Sequence, residues 1–328
     1  MFREAPVATG RRLGRTEIEV TPVGLGCWQF SGGKGIAGRF WETLPQQRVN
    51  EVVAVSLQRG INWFDTAEMY GGGASERALA AALEAAGKEN GGVAVATKWS
   101  PFFRTARSIK DTIEERLRYL SPFGIDLHQV HQPVGLSSVE AEMAAMADLV
   151  ADKKIRSVGV SNFNRARMRR AHAALAARGI PLASNQVRYS LVDRRIESSG
   201  TLAAAKELGV TIIAYSPLGQ GLLTGKYHED PSYVRRRPGP RKWMGSFRTK
   251  GLERTRSLIE GLRTIAAAHG ATVGQIALAW LCQFHGDTVV VIPGASRPEQ
   301  AEENAGALDL SLSRGELEKI DELSRRFM

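Results

Sequence analysis

The chain of 328 residues has only two cysteines, Cys27 and Cys282. Two thiols cannot build a disulfide framework, and no CxxC pair supplies half of a zinc site, so no metal is expected. Long apolar runs are missing too. Stretches such as Val289-Val290-Val291-Ile292 fall far short of the roughly 18 residues that a membrane span requires. No basic-then-apolar leader opens the sequence, so the expectation is a cytoplasmic protein with no membrane partner. Aromatic residues make up only 7%. They are not interleaved with the basic clusters at 165–170 and 235–248 as base-stacking platforms usually are. The net charge of +10, from 44 Lys+Arg against 34 Asp+Glu, therefore reads as a solvated surface or a pocket for a phosphorylated ligand. No nucleic-acid partner is expected.

Several catalytic signatures are absent as well. Gly24-Leu25-Gly26-Cys27-Trp28-Gln29 starts like a dinucleotide loop but lacks the third glycine, which removes the Rossmann reading. There is no GxSxG, HExxH or Walker A sequence, and no tyrosine is followed four residues later by lysine. His128 and His131 are three apart on an apolar run, so they point to opposite faces of a strand and make a poor metal pair. His128 is read as structural.

What is present is a repeat of short apolar runs and helical stripes. The runs begin near Val23, Ile61, Val93, Ile125, Ile155, Leu182, Val210 and Thr288. Apart from one long insertion after Val210, they recur at roughly the 30-residue length of a β-strand–helix unit. Between them, Val49, Val52, Val53 and Leu57 follow helical spacing, as do Ile109, Ile113, Leu117 and Leu120, and Val139, Met143, Met146 and Leu149. The methionines read as core filler. Runs such as Val93-Ala94-Val95-Ala96 are continuously apolar, as strands buried on both faces are. Eight such units predict an α/β protein, a (β/α)8 TIM barrel forming one domain over 1–328. The polar, Gly14-containing stretch 12–20 predicts an N-terminal β-hairpin that closes the barrel's bottom. A long loop is expected after strand seven.

Functional residues of such a barrel lie just past the carboxyl ends of its strands. Those positions hold Asp65 and then Tyr70 after Phe64, Lys98 after Thr97, and His131 after Val130. A buried lysine needs a partner, and Asp65 can supply one. An ammonium beside Tyr70 favours the phenolate and eases proton release, while His131 can donate to a carbonyl oxygen. The set is suited to proton transfer around a developing alkoxide. Trp28 and Trp99, each at a strand end, are candidates for an apolar substrate pocket.

Gly60-Ile61-Asn62-Trp63-Phe64-Asp65-Thr66-Ala67-Glu68-Met69-Tyr70-Gly71 resembles a signature of the aldo-keto reductases. So do Ala96-Thr97-Lys98, the segment from Asp126 to Pro133, Val158-Gly159-Val160-Ser161-Asn162-Phe163, Asn185-Gln186, the segment from Ala214 to Gly221, and Ile292-Pro293-Gly294-Ala295-Ser296-Arg297. The likeness runs from about Leu13 to Leu312, in order and at family spacing, and the family also carries a large loop after strand seven. It implies Tyr70 as general acid, Lys98 and Asp65 as its tuning pair, and His131 as the residue orienting the carbonyl. It implies that Ser161, Asn162 and Gln186 hold a nicotinamide carboxamide and that Tyr215 stacks on the ring. Ser216, Pro217, Leu218, Gly219, Gln220 and Lys226 would wrap the pyrophosphate. Gly294, Ser296, Arg297, Gln300, Glu303 and Asn304 would hold the adenosine end. Arg297 with helix-opening amides suits a 2′-phosphate, so the implied cofactor is NADPH (NADP+), with NADH as the alternative. Family members with the tightest grip carry a further basic residue near Gly294 and Gln300. Neither is basic here, which argues against exclusivity. The implied activity is reduction of an aldehyde or ketone to an alcohol, the partner being a small carbonyl substrate. The motifs are also similar to those of potassium-channel β-subunits, which leaves a nucleotide-binding regulatory subunit as one alternative. A dedicated metabolite dehydrogenase or pyridoxal-type reductase is another. The complete set Asp65, Tyr70, Lys98 and His131 favours turnover.

Overall fold

The computed structural model describes residues 10–33, 43–234 and 243–328. Its first elements are β1 (Arg11–Arg12) and β2 (Glu19–Val20), an antiparallel pair. Gly14 turns between them with φ of +58°, and a Cβ there would lie 2.6 Å from the Ala183 carbonyl oxygen. Glycine alone satisfies both the turn and the close approach. Leu13, Ile18 and Val20 are buried against Trp63, Ala96, Leu127, Ile213 and Val290. The hairpin thus plugs one end of the barrel, as the sequence predicts.

Eight parallel strands follow: β3 (Leu25–Gly26), β4 (Trp63–Asp65), β5 (Ala94–Trp99), β6 (Leu127–Val130), β7 (Ser157–Ser161), β8 (Leu182–Arg188), β9 (Thr211–Tyr215) and β10 (Val289–Ile292). Each pairs with its neighbour in chain order. Parallel bridges Val23–Val291 and Gly26–Gly294 join the first strand to the last and close the barrel. Nearly every strand position is buried, because the strands' own side chains pack the barrel interior and helices cover the outside. The eight expected strand starts all lie within a few residues of the observed ones, and the fold is the (β/α)8 barrel.

The outer ring comprises α1 (Gln46–Gln58), α2 (Ala74–Ala85), α3 (Arg107–Leu120), α4 (Val139–Ala151), α5 (Arg165–Ala176), α6 (Arg195–Ser198) and α7 (Thr201–Leu208). The stripes read from sequence face inward: Val49, Val52, Ile109, Ile113, Met143 and Met146 are all buried. The insertion after β9 is more ordered than a loop. It carries α8 (Lys226–Glu229), α9 (Thr249–His269) and α10 (Val273–Gln283), with Leu222, Tyr227, Val234, Phe247 and Leu252 forming a small core of their own. Of the basic stretch 235–248, positions 235–242 lie outside the described residues. The chain ends with α11 (Pro298–Ala305) and α12 (Arg314–Ser324). The other basic cluster is dispersed in ion pairs on α5, Arg169 with Glu207 and Arg170 with Glu140. Among the described residues no single helix is long and apolar enough to cross a membrane.

Candidate active site

Asp65 ends β4, Lys98 is the penultimate residue of β5, and His131 follows β6 directly. Tyr70 sits in the turn between β4 and α2. Gly71, Gly72 and Gly73 shape that turn with φ of +70°, +60° and +81°, values that favour glycine. The turn is pinned to its neighbours. The Glu68 N–H donates to the Lys98 carbonyl at 3.1 Å. Thr66 Oγ1 donates to Ser75 Oγ at 2.8 Å, which donates to the Cys27 carbonyl at 2.7 Å.

The four side chains converge. The Lys98 ammonium donates to Asp65 Oδ1, and to the Thr66 carbonyl at 2.8 Å. It lies 5.1 Å from the centre of the Tyr70 ring. The Tyr70 and His131 rings meet edge to face with centroids 5.7 Å apart. Burial on its own would lower the Lys98 pKa, but Asp65 and Tyr70 overcome it and hold the amine above its usual value. Lys98 is therefore an ammonium. Burial raises Tyr70, and the Lys98 charge opposes but does not cancel that rise. Lys98 draws the phenol down, as the sequence reading expects of a neighbouring ammonium, but desolvation outweighs it, the net direction is upward, and Tyr70 keeps its proton at neutral pH. Burial, and then Lys98, push His131 down to about 3, so its imidazole is neutral. His131 Nδ1 is buried without a partner among the described residues, and the residue lines the cavity above the cluster. His128 is buried on the other face, beside Arg116 of α3, and is likewise pushed down to about 3 by burial.

A cavity of about 830 Å³ opens over this group. Asp65, Tyr70 and His131 line it, while Lys98 is fully buried behind Tyr70. Ser161, Asn162, Gln186 and Tyr215 form the adjoining wall. Ser161 Oγ donates to the Gln186 carbonyl at 2.9 Å, and the Tyr215 hydroxyl donates to Asn162 Oδ1 at 3.0 Å. Ser216, Pro217, Leu218, Gln220 and Lys226 line the next stretch. Gly219 does not: it is buried under the loop, and its N–H is spent on the Ser216 carbonyl at 2.9 Å. The loop instead presents Gly221 and Thr224. Gly294, Ser296, Arg297, Gln300, Glu303 and Asn304, from the segment after β10, line it as well. Several of these are tied to one another, for Gln300 Oε1 accepts from both the N–H and the Oγ of Ser296 at 3.0 Å. Arg297 is exposed and forms no ion pair among the described residues.

Trp28 lines the cavity, but Trp99 does not. With Lys98 facing the barrel interior, the two-residue period turns Trp99 outward. It is buried against the helix layer, and its indole N–H donates to Ser108 Oγ at 3.1 Å. Sequence reasoning missed Gln29, Met69, Gln132 and Arg188, which also line the cavity. Gln29, Met69 and Gln132 are immediate neighbours of recognised residues, and Arg188 is two positions beyond Gln186, so strand-end adjacency could have found them. Tyr227 and Tyr233 come from the insertion, where no periodic signal exists.

A barrel carrying this cluster at its strand ends is an NAD(P)H-dependent oxidoreductase. The affiliation rests on nearly the whole chain: residues 22–325 match the model of the aldo/keto reductase family, to which this chain belongs. It is 38% identical over 311 residues to an uncharacterised oxidoreductase of Mycobacterium tuberculosis, covering 94% of this chain and 91% of that one. It is 33% identical over 312 residues to a chloroplastic pyridoxal reductase of Arabidopsis thaliana, covering 91% and 82%. Among solved structures it is similar to an aldo/keto reductase from Klebsiella pneumoniae in complex with NADP and acetate. That likeness has 26% identity and a TM-score of 0.72, and covers 95% and 94% of the two chains.

Proposed function

We propose that this protein reduces an aldehyde or ketone to the alcohol with NADPH, Tyr70 serving as general acid. The observation that carries the reading is a tyrosine in the cavity wall whose ring centre lies 5.1 Å from a buried ammonium and 5.7 Å, edge to face, from the ring of a neutral imidazole. The cavity fits a dinucleotide: Gln29 Oε1 and Gln220 Oε1 in its walls are buried polar atoms without partners among the described residues. Buried polar groups rarely stay unpaired, so a ligand with donors suits this space. The solved Klebsiella relative holds NADP, and Arg297 at the head of α11 is the group to meet a 2′-phosphate.

When bound, NADPH supplies the hydride. The protein does the rest. His131 Nε2–H donates to the substrate oxygen and orients the carbonyl. As charge develops there, the Tyr70 hydroxyl gives up its proton, and Lys98, held charged by Asp65, stabilises the phenolate left behind. Trp28 and Met69 supply apolar surface near Tyr70 and exclude water. The test is turnover of NADPH with a panel of carbonyls. Tyr70→Phe should lower kcat by a hundredfold or more, within the roughly 10²–10⁴-fold range of general acid catalysis, and leave NADPH affinity nearly unchanged. A variant that keeps half of native turnover, with chemistry limiting, would remove Tyr70 from this role.

A further inference from the structure

Gln129 lies on β6, two residues before His131, paired in register with Lys98 of β5. It is fully buried inside the barrel. Its Nε2 donates to Asp65 Oδ2 at 3.1 Å, and its Oε1 accepts from Ser184 Oγ at 3.5 Å. The amide of Gln186 donates to the same Oδ2 at 2.8 Å. The two oxygens of Asp65 are thus divided: Oδ1 takes the ammonium, and Oδ2 takes two neutral amides. Room for this is built in. A Cβ on Gly159 of β7 would lie 2.4 Å from Ser184 Oγ and 2.9 Å from Gln129 Cγ, so only a glycine there lets both side chains reach inward.

From this geometry we infer that Gln129 is a positioning residue, which acts through Asp65 and Lys98 on the proton of Tyr70. The inference rests on the function proposed above. A buried carboxylate oxygen is costly to leave under-coordinated. Gln186 alone gives Oδ2 one donor; the Gln129 amide adds a second, spreads the charge on Oδ2 and helps to aim Oδ1 at Lys98. The titratable groups around Tyr70 are Lys98, Asp65, Cys27 and His131. Lys98 draws the phenol down and Asp65 pushes it up. Loss of Gln129 weakens the first influence and strengthens the second, so both effects move Tyr70 the same way, towards a tighter hold on its proton.

The experiment uses Gln129→Met, which keeps volume but donates nothing, and Gln129→Glu, which donates only as the neutral acid. In Gln129→Met, kcat for alcohol oxidation, where Tyr70 must accept a proton, should fall about tenfold at neutral pH, and its rising limb should lie about one pH unit higher. KM should change little. A second readout needs no turnover: the phenolate absorbance present in the native protein and missing from Tyr70→Phe should appear at higher pH in the variant. In carbonyl reduction, Gln129→Glu should approach the native rate at acid pH, where the neutral acid still donates to Asp65, and fall below it as the new carboxyl ionises beside Asp65. If Gln129→Met does not fold, the Glu variant decides alone. Unchanged limbs in the folded variants, with an unchanged phenolate titration, overturn the inference. Because the phenolate readout does not depend on catalysis, it separates this failure from a failure of Tyr70 as acid.

Discussion

Lys98 and Asp65 form an ion pair sealed from solvent, with side chains 0% and 2% exposed. The pair sits at the carboxyl ends of β4 and β5, and each member is also bound by neutral groups, Lys98 by the Thr66 carbonyl and Asp65 by Gln129 and Gln186. Removing one charge from such a pair strands the other in a low dielectric, at a cost of about 3–5 kcal/mol. Lys98→Met should therefore lower Tm as well as kcat. Adding Asp65→Asn should restore much of the Tm, since no lone carboxylate remains, but none of the kcat, since no cation faces Tyr70. Thermal melts and turnover of the two variants check this. Recovery of both together would assign Lys98 to stability alone.

The barrel was legible because its strands are buried on both faces and recur at a nearly constant interval, a pattern that no open sheet of this length requires. Asp65, Tyr70, Lys98 and His131 were legible because strand ends are where a barrel presents its chemistry. Trp99 was misplaced for a reason the sequence already contained: once Lys98 is taken as inward-facing, the next residue must face outward. The direction in which the Tyr70 pKa moves could not be read in advance. It is a balance between desolvation and Lys98, and the depth of burial is a property of the assembled barrel. The insertion after β9 was opaque because the core that Tyr227 and Phe247 form is local and non-periodic. Gln129 was hidden differently, since its value lies in a contact across the barrel to Asp65, which is 64 residues away in the chain.

Glu142 of α4 is buried, and burial pushes its carboxyl up from 4.5 to about 7, with Arg167 opposing only in part. The folded protein therefore holds a proton that the unfolded chain releases at the lower value. Between those two values the native state binds more protons, so stability declines as pH rises through the window. The Glu142 contribution to that decline is at most about 3 kcal/mol, from the gap between the two values. Glu142→Gln should flatten the fall in Tm between pH 5 and pH 8, as melts at several pH values would show. Some slope should remain, because burial places Glu76 at about 7 as well. A pH dependence identical to the native protein would mean that Glu142 is solvated in solution.

Arg297 caps α11 from extended backbone, with φ −145° and ψ 148°, and Pro298 follows at the first helical position. Arg297 is exposed and lines the cavity at the end formed by α11. The nearby donors are largely spent, since Gln300 accepts the Ser296 N–H and hydroxyl and Asn304 Nδ2 donates to the Gly294 carbonyl at 3.4 Å. That leaves Arg297 as the charged group at this end able to grip a phosphate dianion, with the helix dipole assisting. NADH lacks the 2′-phosphate, so Arg297 can act on the choice between cofactors only through NADPH. Arg297→Ala should raise the NADPH dissociation constant by about one to two decades, the equivalent of a charge-assisted contact of roughly 1.5–3 kcal/mol, and leave NADH nearly unchanged. Fluorescence titration of the native and variant proteins with both cofactors at fixed ionic strength measures this directly. An equal loss for both would make Arg297 a support for the loop after β10. No loss for either would move the phosphate to Lys226.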